Sequence, residues 1–116
     1  MDETIGKVTI APEVLTTIVR QTALSQPGVV RLSGRTPNGM SRLLGRVAVS
    51  EGLRITIGEG TIAIDLYLVA KADENLLRLG QALQSEITRA INHMVGLEVS
   101  AVNVHIEDVV FTGSPP

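Results

Sequence analysis

The chain has 116 residues, 44% of them apolar, with only Tyr67 and Phe111 aromatic and no cysteine. That length suits one aliphatic core. The composition excludes a disulfide scaffold, thiolate zinc sites and cysteine nucleophiles, and offers few surfaces on which bases, sugars or flat cofactors could stack. The net charge of −2 is unevenly placed: Arg20, Arg31, Arg35, Arg42, Arg46 and Arg54 are offset only by Glu51, whereas acids predominate from Thr61 onward.

In chain order, Lys7–Ile10 reads as a short strand. Pro12 follows, suited to a first helical turn, and Val14, Leu15, Ile18, Val19 and Thr22 form a helical stripe. Gln26-Pro27-Gly28 should stop that helix by Ser25, and Val29–Leu32 reads as a strand. Turn chemistry fills Ser33–Gly39. Met40, Leu43, Leu44 and Val47 then suggest a short amphipathic helix, weakened by Gly45. Leu53–Ile57 and Ile62–Leu68 alternate on either side of Gly58-Glu59-Gly60, a hairpin pattern. Asp73-Glu74-Asn75 supplies a cap. Leu76, Leu79, Leu83, Ile87, Ala90, Ile91 and Met94 form a long helical stripe closed by Gly96. A last strand changes phase at Ala101, which predicts a bulge near Ser100-Ala101 or a strand that begins there.

These elements predict an α+β fold: a two-layer α/β sandwich, with a small mixed sheet and two main helices packed on one face. Residues 1–116 are read as a single domain, with an ordered core from about residue 6 to 111 and a short flexible tail, 112–116. The N-terminus begins acidic, unlike a secretory leader. The longest apolar run, Ile62–Ala70, is broken by Asp65 and falls short of the roughly 18 residues a spanning helix needs, so no direct membrane span is expected.

Few residues point to chemistry. Asn103, His105 and Glu107 share the parity opposite Val102, Val104 and Ile106, so His105 is expected on the open face of the sheet, exposed and without a catalytic role. Asp65 is read as a solvated residue or an edge guard. His93 has no i, i+4 partner for a metal. Gly34–Ser41 has the context of a phosphate loop, but Met40 stands where the lysine must be and Pro37 removes an amide. No GXXG tetrad of the kind that clamps RNA occurs. No catalytic, cofactor-binding or metal-binding residue is therefore assigned. Arg42 and Arg46, beside Leu43 and Leu44, make the candidate partner-binding segment.

Five motifs in order resemble the alkaline shock protein family of bacterial envelope stress response proteins: Gly6-Lys-Val-Thr-Ile-Ala-Pro-Glu-Val14, Pro27-Gly28-Val29, Leu43-Leu44-Gly45-Arg46, Ile64–Val69, and Gly96–Val99 with Val102–His105. The match runs from Gly6 to Phe111. The resemblance implies a non-enzymatic, cytoplasmic protein at the inner face of the membrane, without cofactors. It would act by self-association or through a small membrane-anchor protein. The alternative is a small nucleic-acid or anionic-ligand binding module using the arginine-rich segment 31–54. The acidic C-terminal half makes nucleic acid the lesser expectation.

Overall fold

The computed structural model describes residues 5–34 and 47–111. Helix α1 spans Pro12–Leu24 and strand β1 Val29–Leu32. Three strands follow, β2 (Val47–Ser50), β3 (Leu53–Ile57) and β4 (Thr61–Lys71), then helix α2 (Leu76–Met94) and strand β5 (Glu98–Val110). The five strands form one mixed sheet. The helices lie on a single face of it, α1 over β1–β3 and α2 over β5. This is the expected two-layer α+β architecture.

Strand β4 organises the sheet. One edge pairs in parallel with β5 along its whole length. A parallel partner needs a crossover, which α2 supplies. The other edge is shared: β3 pairs with Ile62–Leu66, and β1 pairs with Leu68–Ala70, so β1 and β3 lie end to end. The handover falls at Tyr67, whose N–H donates to Gly52 O at 2.9 Å and whose carbonyl accepts from Ser33 N at 2.8 Å. Gly52 fits because its φ is +72°, and a Cβ there would lie 2.8 Å from Ser33 O and 2.9 Å from Tyr67 O. Only glycine takes that backbone and that proximity without strain.

The core is aliphatic, as the composition requires. Ile62, Ile64, Leu66 and Leu68 of β4 and Leu53 and Ile55 of β3 are fully buried. They pack with Val19 of α1 and with Leu83, Ile87 and Ile91 of α2. Those α2 residues recur at helical spacing on one face. Asn75 Oδ1 accepts from Arg78 N at 3.0 Å to cap the helix start, and Gly96, at φ +81°, turns the chain after its end.

Four expectations need correction. Lys7–Ile10 joins no strand; alternation alone does not supply a partner edge. Val47 does not continue a helix but opens β2, which pairs with β3 across Glu51-Gly52. The buried side of α1 is Leu15, Thr16, Val19 and Ala23, while Val14 is 45% exposed. Met94 is exposed too, because it falls in the last turn of α2. The bulge expected near Ser100 is present, and a second one falls between Ile106 and Asp108. The segment holding Met40, Leu43 and Leu44, and the tail 112–116, lie outside the described residues.

Candidate functional site

The face of the sheet opposite the helices carries a polar cluster centred on Asp65. The β3–β4 register places Arg54 directly across from Asp65, and the β4–β5 register places Asn103 on its other side. Asp65 Oδ2 accepts from Arg54 Nη2 at 3.2 Å. Oδ1 accepts from Asn103 Nδ2 at 3.1 Å and lies 3.4 Å from His105 Nε2. The His105 ring stacks on Tyr67, with centroids 4.5 Å apart and planes 10° from parallel. Beyond it, Ser33 Oγ donates to Glu107 Oε1 at 3.0 Å. The Asp65 side chain is only 15% exposed, whereas His105 is 44% exposed.

His105 thus sits on the open face as its parity dictates. Asp65 differs from expectation. It is neither at an edge nor solvated, because β4 has neighbours on both sides and three side chains converge on its carboxylate. A half-buried carboxylate is held this way when donors replace its water. Arg54 Nε is buried without a hydrogen-bond partner among the described residues.

Chemically, the cluster ties three strands together. An Asp–His pair can orient an imidazole for base catalysis. Here the His105 ring meets the Asp65 carboxylate on one side and stacks on the Tyr67 ring. Among the described residues, no group of three His, Cys, Asp or Glu side chains could hold a metal ion. His93 is exposed near the end of α2, away from this cluster.

A second feature lies along β5. Among the described residues its thirteen residues pair only with β4, so its outer edge is open. Between that edge and α2 runs a trough of about 610 Å³ lined by Leu76, Leu77, Gln81 and Gln84 of α2 and by Val104 and residues 106–109 of β5. Gly80 deepens it, since a Cβ there would meet nothing within 4 Å. The sequence signal for this surface was the alternation of Val102, Val104 and Ile106, which gave the face but not the missing neighbour.

The partner-binding residues expected from sequence, Arg42, Leu43, Leu44 and Arg46, lie outside the described residues. Of the other described arginines in the basic stretch, Arg31 is exposed on β1, while Arg54 is paired with Asp65 and Arg20 donates to Ser50 Oγ. The latter two are committed to the fold.

The described residues thus form a small α+β fold with helices on one sheet face, a polar cluster on the other and an open strand edge. The chain belongs to the alkaline shock protein 23 family, a family of cell envelope-related function, whose model matches residues 1–111. Among its relatives, YqhY of Bacillus subtilis is 28% identical over 110 residues, covering 95% of this chain and 82% of that protein. YloU of the same organism is 22% identical, covering 90% and 88%. A stress response regulator gls24 homolog of Streptococcus pyogenes is 24% identical over 105 residues, which span 90% of this chain and 59% of that relative. Among solved structures, the copper form of the MamM CTD shares the fold, with a TM-score of 0.60 at 13% identity over 90% of this chain and 92% of that one. Among the described residues no helix is long and apolar enough to cross a membrane.

Proposed function

We propose that this protein is a non-enzymatic scaffold of the envelope stress response. It works at the cytoplasmic face of the membrane by self-association and by docking on a small membrane-anchored partner. The observation that carries the reading is the outer edge of β5, which among the described residues has no strand neighbour from Val104 onward, beside a trough toward α2. A strand edge of this kind with half-buried valines is a template for another chain. Membership of a family of cell envelope-related function and the stress-response relatives support the setting. The basic segment with Arg42, Leu43, Leu44 and Arg46 is proposed as the contact with the anchor. The whole chain acts as one domain in this reading.

The test is a crosslinking pull-down from the native cell, divided into membrane and soluble fractions. Recovery with a small membrane-spanning protein supports the scaffold. Recovery only in the soluble fraction, with RNA or ribosomal proteins, overturns it in favour of an anion-binding module. Charge reversal at Arg42 and Arg46 should abolish recovery in the membrane fraction; unchanged recovery removes that segment from the account. The nucleic-acid alternative gains no support from Arg20 and Arg54, since both are engaged within the fold.

A further inference from the structure

The residues before α1 leave large apolar side chains uncovered: Ile5 is 97% exposed, Val8 92% and Ile10 42%. The same molecule has an open strand edge with a trough beside it. We propose that Lys7–Ile10 of one copy adds as a strand to the outer edge of β5 in a second copy. The proposal rests on the self-association reading and names the surfaces that perform it.

The two surfaces match in face, charge and length. In an extended segment Val8 and Ile10 point to one side, Lys7 and Thr9 to the other. Strand β5 presents the same division. Val104, Ile106 and Val109 share the side facing α2, and Asp108 stands opposite Val69 on the open side. An added strand would set Val8 and Ile10 into the trough and Lys7 on the open side beside Asp108. That charge match runs the arm antiparallel to β5, with Lys7 at the Asp108 end. Four residues span about 13 Å, within the stretch Val104–Val109. Strands β1 and β2 have the same length and are held in this sheet. Gly6, at φ +113°, bends the chain just before the segment, and Pro12 begins the helix just after it. Both limits leave Lys7–Ile10 as the part free to pair.

Phosphate or a lipid headgroup at this edge would meet the Asp108 carboxylate, whereas the arm brings a lysine. Gln84 Nε2 donates to Val102 O at 3.1 Å and caps the edge there, so the added strand is confined to the stretch from Val104 onward.

The arm is exposed in the single copy, so changing it should not disturb the fold. Sedimentation equilibrium of the full chain comes first, beside the double variant Val8→Asp/Ile10→Asp. The expected result is an oligomer whose dissociation constant rises more than tenfold in the variant. Lys7→Glu should weaken it about threefold, the scale of an exposed ion pair, and Asp108→Lys should restore it. Because the chain has no cysteine, a Val8→Cys copy can then be mixed with a differently tagged Ile106→Cys copy, the residue this register sets beside Val8, and oxidised. A disulfide between the two tags is expected. Equal association of wild type and the double variant overturns the arm proposal while leaving self-association standing. A monomeric wild type overturns both. A disulfide formed only within one chain of the Val8→Cys/Ile106→Cys double variant also overturns the exchange between copies.

Discussion

Strands β4 and β5 lie side by side and parallel, and both alternate apolar and polar residues, yet they live in different environments. In β4 Ile62, Ile64, Leu66 and Leu68 are fully buried. In β5 only Val102 is buried, while Val99, Val104 and Ile106 are partly covered. The composition of the two apolar faces is similar, so the residues themselves do not explain the contrast. Position does. Strand β4 has neighbours on both edges and helices above it, whereas β5, among the described residues, has one strand neighbour and α2. Alternation tells which face of a strand is apolar; the number of neighbouring strands decides how much of that face leaves water.

The contrast is open to direct attack. The largest effect is expected at the centre of β4. Ile64→Ala should cost about 2–5 kcal/mol by urea denaturation, because a closed cavity remains in the core. Val104→Ala in β5 should cost under about 1.5 kcal/mol, since its site is already half open. Equal losses would mean that β5 is as enclosed as β4. Gly52→Ala attacks the junction that lets β4 carry two strands on one edge. It should cost about 1–3 kcal/mol, as the new Cβ meets backbone at a positive φ.

Asp65→Asn tests the polar face. It keeps the shape but removes the charge that Arg54 meets, with an expected loss of about 1–3 kcal/mol. A neutral result would show the cluster to be solvated and incidental. The smallest effect is expected at Asn75→Ala, which removes the α2 cap at a cost of about 1 kcal/mol and should leave self-association untouched.

Much of this architecture was legible from periodicity. The hairpin, the long helix with its cap and the first bulge of β5 all follow from local rules, because each is fixed by residues close together in the chain. The Arg54–Asp65 pair could have been found by counting outward from Gly58-Glu59-Gly60, since a hairpin turn fixes its register. The approach of Asn103 and His105 to the same carboxylate could not. It depends on a parallel pairing across a nineteen-residue helix and on a bulge whose extra residue resets the register. Strand β2 was missed because Val47 fits a helical stripe as well as it fits a strand, and its partner decides between them. Lys7–Ile10 shows the opposite error, a strand pattern that meets no partner edge among the described residues.

The most direct test of the central claim, that the outer edge of β5 receives another chain, is amide hydrogen exchange measured at low and high protein concentration. The account predicts that amides in Val104–Val109 gain protection as concentration rises, while those of β4, already paired on both edges, do not change. Protection of Val104–Val109 that is independent of concentration, in a sample whose oligomer is growing, would contradict it and move the interface elsewhere on the molecule.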